Sequence, residues 1–487
     1  MKNTSIRKNL IFNVLKTVAS IAFPLITYPY AARTLLPEGL GKINYAISIV
    51  SCFQVIASLG INTYAISEGS KIRDNYKQLN QFAVEILLIN IMSTTIAYGC
   101  MLFFYVIDAF SGYECLICIQ ASSIIFNTIG VSWLFNIYED FKYITIRSVI
   151  FQLISILLML KYVKGPEDVY TYAMLNVFSS VGSNVLNLIC ARKYINFFNS
   201  NLSIINIFKH LKPIMLLFAS SAASAIYMNS DRIIIKYYKG DVEVGYYSAA
   251  MKVISVVTVS VMALRDVVLP RISYYIGKND KKGFADLVTT GLCTIYLIVI
   301  PGFIGSILLS EEIVIFLFSE IYEIAAASLS ILSFELLLAP VNGFLAYQIL
   351  VPYRKTVIVS NSTVISAFCN ITLNFFFVPI WGGAGAAITT VVSEMLVFFL
   401  LLYKVKSYYN YKLVFKDIIQ YIIASFIMAA LIIVLKKFLS GNRLLFVSIF
   451  TGAVSYFIIL GFMKNNTLYT FFNMRLILDY IKKRRNQ

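Results

Sequence analysis

Several ionisable side chains stand inside long apolar runs of this sequence, where charge needs a reason. Six are cations: Lys16, Arg33, Lys42, Arg147, Arg232 and Lys252. Three are carboxylates: Asp231, Glu335 and Glu394. Cations so placed suit an anionic ligand, and a guanidinium fork matches the oxygens of a phosphate. Carboxylates in an apolar run must be protonated, paired or wetted, which makes them proton-coupling candidates. Other chemistries have little material. The seven cysteines (Cys52, Cys100, Cys115, Cys118, Cys190, Cys293 and Cys369) all lie in apolar stretches. Cys115 and Cys118 form a C-x-x-C with no second pair or histidine nearby, so they read as small hydrophobes. The single histidine, His210, sits in a basic loop. No catalytic residue, metal site or cofactor is expected.

The elements that must position these residues are membrane helices. Of 487 residues, 59% are apolar and 13% charged, against about 25% charged in soluble domains. The fold class is therefore an all-α polytopic membrane protein. Runs of about twenty apolar residues predict about fourteen transmembrane helices. They fall near 10–32, 42–64, 80–107, 115–138, 144–163, 170–190, 213–238, 246–268, 285–309, 324–350, 356–378, 384–403, 417–435 and 444–463. A Pro-Glu-Gly-Leu-Gly turn at 37–41 is expected between the first two. The net charge of +17 is carried by residues that punctuate these runs. It therefore signals orientation in the bilayer rather than nucleic-acid binding. Cations crowd the N-terminus, alternate loops (Lys71/Arg73/Lys77, Arg192/Lys193/Lys209/Lys212, Arg271/Lys278/Lys281/Lys282, Arg354/Lys355, Lys404/Lys406/Lys412/Lys416) and the tail at 482–485. Both termini are thus expected in the cytoplasm.

Internal repetition divides the chain. "PEGLGKINYAISI" (Pro37–Ile49) resembles "DVEVGYYSAAMKV" (Asp241–Val253), with Gly41 matching Gly245, 204 residues on. "YEDFKYITIRSVI" (Tyr138–Ile150) resembles "LVPYRKTVIVSNSTV" (Leu350–Val364). Six helices separate the copies, so both run the same way through the bilayer. Two parallel pseudo-symmetric six-helix lobes follow, at 1–200 and 201–404, with a C-terminal helix pair and basic tail at 405–487. Such repeats hold a substrate between halves.

Depth then sorts the charges, at about 1.5 Å per helical residue. Glu85, Lys16, Arg147 and the Arg265–Asp266 pair lie near a cytoplasmic end and can snorkel. Arg33, Lys42, Lys252 and the Asp231–Arg232 pair lie near the outer ends of related helices in both halves, and as a group suit an anion-attracting cavity. Glu335 and Glu394 lie mid-run, either as proton carriers or as neutral acids bonded between helices. Pro24, Pro29, Pro301 and Pro340 predict kinks. Two polar stripes, Asn176/Ser180/Ser183/Asn184/Asn187 and Ser362/Ser366/Asn370/Asn374, serve either as helix contacts or as partners for hydroxyl-rich substrates.

"TYPYAARTLLPEGLGKINYA" with "FQVIASLGINTYAISEGSKIRDN", and "NSDRIIIKYYKGDVEVGYYSAAMKV" in the second half, resemble the signatures of Wzx-type polysaccharide and O-antigen flippases. These form a branch of the multidrug/oligosaccharidyl-lipid/polysaccharide superfamily. The resemblance implies alternating access and a cationic cavity in the bacterial inner membrane. The substrate it implies is an undecaprenyl-pyrophosphate-linked oligosaccharide repeat unit, moved from the cytoplasmic to the outer leaflet. H+ or Na+ is the implied coupling ion and a polysaccharide polymerase complex an implied partner. A lipid II flippase and an ion-coupled multidrug exporter of the superfamily remain alternatives. A membrane enzyme would need a catalytic motif in a sizeable loop, and none is visible.

Overall fold

The computed structural model describes residues 6–196 and 204–472. The basic tail at 482–485 lies outside the described residues, as do the side chains of Arg265 and Asp266. Among the described residues every regular element is helical. Ten helices among the described residues are long and apolar enough to cross a membrane. Their outer faces carry bare hydrophobes such as Leu102, Phe103, Phe426 and Phe450, each more than 60% exposed. Continuous patches of this kind belong against lipid, not water. The chain is a multi-pass membrane protein.

The first helix, α1 (Ile6–Ser58), leaves helical geometry only at Leu36, with φ 61° and ψ 172°. The Pro-Glu-Gly-Leu-Gly stretch is therefore not a turn, contrary to expectation. Pro37 opens the second half of α1, where its missing N–H costs nothing and its ring presets φ. Glu38 then supplies a first-turn acid that complements the helix dipole. Next come α2 (Ile61–Lys71) and α3 (Tyr76–Val106), the latter capped by the Asn75 side chain accepting from Gln78 N at 3.2 Å. Then follow α4 (Glu114–Ile129), α5 (Ser132–Ile137) and α6 (Phe141–Tyr162). A π turn at Phe178–Gly182 joins α7 (Val169–Val177) to α8 (Asn184–Ala191).

The long α9 (Ile204–Lys239) precedes α10 (Asp241–Gly277). His210, expected in a loop, lies on α9. Its ring meets the edges of Tyr64 and Phe82, so the first turns of α9 have an aromatic surface to bury against. Beyond lie α11 (Lys281–Leu308), α12 (Ser310–Phe318) and α13 (Ala325–Phe344), which ends in a second π turn at Leu345–Leu350. Then α14 (Thr356–Val405) breaks at Gly382, with φ 56° and ψ −131°. The chain closes with α15 (Phe415–Leu435), α16 (Gly441–Phe462) and α17 (Asn466–Phe472).

Packing divides the chain into two compact units, Met1–Ser248 and Ala249–Gln487. In the first, α1 is central and touches α3, α4, α6 and α9; Ile86, Trp133 and Phe135 anchor a core beside it. In the second, α13 lies against α11 and α14, and α15 against α11 and α16. Phe344, Tyr421 and Tyr456 are buried there.

Candidate functional site

Arg147 is the most deeply placed of the cations in the first unit. It does not snorkel to an interface as its position in the run suggested; it is 7% exposed on α6. It shares the buried side of that helix with Ile144, Ser155 and Met159, so its stem points into the unit. Nη1 donates to the Ser183 carbonyl at 3.1 Å, just past the π turn, and the guanidinium lies 5.6 Å from the centre of the Tyr143 ring. Nε has no hydrogen-bond partner among the described residues. Lys16, half-buried on α1, lies near enough to feel the Arg147 charge. Thr145 fixes this approach by donating to the Phe12 carbonyl at 2.9 Å. Two like charges in a poorly solvated place repel strongly, and a bound anion would relieve that cost.

The other predicted cations are arranged differently. Gly41 packs against the Asp241 carbonyl and Gly245 against the Pro37 carbonyl, so the starts of two repeat-related helical segments cross at paired glycines. Around this crossing Lys42 bonds Glu38 at 2.6 Å and Lys236 bonds Asp241 at 3.1 Å. Tyr113 donates to Asp241 Oδ2 at 2.6 Å. Lys42 therefore sits in a cluster of mixed charge. Arg232 is half-buried and donates from Nε to Ser248 at 3.2 Å; its neighbour Asp231 is buried and accepts from the Tyr247 hydroxyl at 2.6 Å. Arg33 is exposed, and Lys252 is half-buried on α10 in the second unit.

The two mid-run carboxylates both lie in the second unit. Asn342 on α13 donates from Nδ2 to Glu394 Oε2 at 2.8 Å and to the Glu394 carbonyl at 3.0 Å. Glu335 is half-buried on α13, five residues before Pro340. The stripe Ser362/Ser366/Asn370/Asn374 is buried and used between helices: Ser366 donates to the Ser393 carbonyl at 3.0 Å and Thr389 to Asn374 Oδ1 at 2.6 Å. The stripe in the first unit also ties helices. Asn187 donates to the Gly130 carbonyl at 2.7 Å and Asn184 to Asn127 Oδ1 at 3.3 Å.

One buried constellation escaped the sequence reading. Glu85, 5% exposed at its side chain, accepts from Gln81 at 3.0 Å and meets His210 Nε2 at 3.1 Å. Tyr64 lies 2.8 Å from His210 Nδ1. With Nε2 donating to Glu85, a neutral ring leaves Nδ1 to accept from Tyr64. Glu85 and His210 are 125 residues apart, and no local spacing signals such a pair.

With this geometry in place, comparisons with known proteins identify the chain's relatives. A profile of the polysaccharide biosynthesis protein family matches residues 6–276, and a MatE profile matches residues 217–376. A "Putative O-antigen transporter" of Shigella dysenteriae is 25% identical over 417 residues, 82% of this chain and all of that one. A "Probable low-salt glycan biosynthesis flippase Agl15" of Haloferax volcanii is 27% identical over 239 residues, about half of each chain. Among solved structures, the lipid II flippase MurJ in its inward closed conformation aligns with a TM-score of 0.74 at 18% identity. The alignment spans 93% of this chain and 98% of that one, and at such identity it establishes a common fold.

Proposed function

The chain belongs to the polysaccharide biosynthesis protein family, and we propose that it is a flippase for undecaprenyl-pyrophosphate-linked oligosaccharide repeat units. In this reading it carries them from the cytoplasmic to the outer leaflet of a bacterial inner membrane by alternating access of lobes 1–200 and 201–404. The observation that carries the reading is Arg147: a buried guanidinium whose Nε has no partner among the described residues, with Lys16 within reach of its charge, inside an apolar bundle. A pyrophosphate meets that arrangement with charge and with paired oxygens. Arg232, Arg33 and Lys42 in the first unit and Lys252 in the second are the further substrate-binding candidates. Glu394, Glu335 and Asp231 are the coupling candidates, for H+ or Na+.

Reconstitution tests this. Liposomes holding the purified chain receive a fluorescent undecaprenyl-pyrophosphoryl trisaccharide, and a glycosidase added outside reads the leaflet in which each glycan stands. Wild type should make the inner-leaflet pool cleavable faster than empty liposomes do. Equal rates with and without protein would refute the flippase reading.

A further inference from the structure

A second site lies in the same unit as Arg147, and its chemistry is neutral. Gln54 and Ser58 of α1, Asn62 of α2, Asn90 of α3, and Asn127 and Thr128 of α4 line a recess of about 200 Å³, with Ile61 as an apolar wall. We propose that this recess binds one neutral pyranose ring, the sugar bonded directly to the pyrophosphate of the transported lipid. The proposal rests on the flippase reading and specifies its sugar subsite.

The lining is organised rather than merely polar. Asn184 donates to Asn127 Oδ1 at 3.3 Å, and Asn127 donates from Nδ2 to Gln54 Oε1 at 3.0 Å. This relay fixes the Gln54 amide, and its Nε2 donates to nothing among the described residues. Asn90 spends its Nδ2 on the Ala57 carbonyl at 2.8 Å, which keeps Oδ1 as an acceptor. Asn62, exposed at the rim, offers both groups. The lining therefore keeps both donors and acceptors to offer, and each sugar hydroxyl both donates and accepts.

Other ligand classes fit poorly. Among the described residues no cation lines the recess to receive phosphate, and no carboxylate lines it to hold a metal ion, which takes oxygen ligands weighted toward charge. Size agrees with a single ring, since a cavity of about 150 Å³ already holds benzene.

Position connects the recess to the head group. Arg147 grips the Ser183 carbonyl, and the next residue, Asn184, begins the amide relay. Adjacent Cα atoms are about 3.8 Å apart, so a single chain step links the carbonyl held by Arg147 to the amide relay that ends at the recess, as one bond links pyrophosphate to first sugar in the lipid.

The test compares binding of undecaprenyl pyrophosphate with that of the same lipid carrying one N-acetylglucosamine, glucose or galactose, by native mass spectrometry of the purified chain. Wild type should bind at least one glycosylated probe about tenfold more tightly than the bare lipid. Asn127→Leu and Gln54→Leu should erase that preference while bare-lipid affinity persists, which also certifies folding. Asn62→Ala, at the exposed rim, should reduce the preference without disturbing the relay. No preference in wild type, or a preference intact in all three variants, overturns the sugar site. Failure of wild type to bind either lipid instead refutes the flippase reading.

Discussion

A guanidinium buried within an apolar bundle is stable only where its donors are answered, and Arg147 answers one of them with a carbonyl. Its Nε has no hydrogen-bond partner among the described residues, which gives the residue scale its sharpest prediction. A hydrogen bond to a charged group contributes about 1.5–3 kcal/mol, or roughly 10- to 100-fold in affinity. Arg147→Ala should therefore slow flipping by at least about tenfold, measured in the reconstituted assay at equal protein density. Arg147→Lys should recover part of the rate, since charge survives and the fork does not. Glu394 offers a different test. Glutamine keeps an oxygen for Asn342 Nδ2 to donate to, so Glu394→Gln should keep that bond and leave the chain folded. It removes the titratable proton. If Glu394 carries the coupling proton, the variant's flipping rate becomes independent of an imposed pH gradient. Unaltered gradient dependence in both Glu394→Gln and Glu335→Gln would exclude both carboxylates as carriers.

At the scale of elements, the crossing of the two repeat-related segments depends on having no side chain. A Cβ at Gly41 would overlap the Asp241 carbonyl, and one at Gly245 the Pro37 carbonyl, whereas Gly99 has open space around it. Backbone cannot yield as a flexible side chain can, so Gly41→Ala should cost about 1–3 kcal/mol, the range for overpacking. Gly99→Ala should be nearly neutral, and the double variant Gly41→Ala/Gly245→Ala should lose less than the sum because both act on one crossing. Thermal unfolding in detergent of wild type, Gly41→Ala, Gly245→Ala, Gly99→Ala and the double variant measures these effects. The equivalence of these glycines was visible in the sequence because a repeat aligns them; that their segments cross there was not. Helix positions were visible because lipid demands long apolar runs. The break at Leu36 was not: a leucine at positive φ runs against propensity, and the nearby glycines drew attention to the wrong residues. The Glu85–His210 pair and the Asn184–Asn127–Gln54 relay were hidden for another reason. Each joins helices far apart in sequence, and only packing brings such residues together.

For the molecule as a whole, the strongest constraint is which loops share a face of the membrane. Ion pairs and hydrogen bonds within each unit link loops that the alternating pattern assigns to one side. Arg73 pairs with Glu139 at 2.9 Å across two loops assigned inside, and Lys436 with Glu312 at 3.0 Å across two assigned outside. Tyr30, near the outer end of the first half of α1, donates to the Val163 carbonyl at 2.7 Å in a loop also assigned outside. Alternation fixes only relative sides, and the excess of Lys and Arg in one set of loops supplies the direction. Cysteine labelling of intact cells, in a background cleared of the seven native cysteines, separates the two choices. Arg192, Lys282, Ser111 and Lys164 are all exposed, so accessibility reports sidedness and not burial. A membrane-impermeant maleimide should label Ser111→Cys and Lys164→Cys, and should reach Arg192→Cys and Lys282→Cys only after permeabilisation. The reverse pattern would place the basic loops outside. A lipid-linked substrate made in the cytoplasm would then meet the opposite end of the path, and the direction of transport proposed here would fall with it.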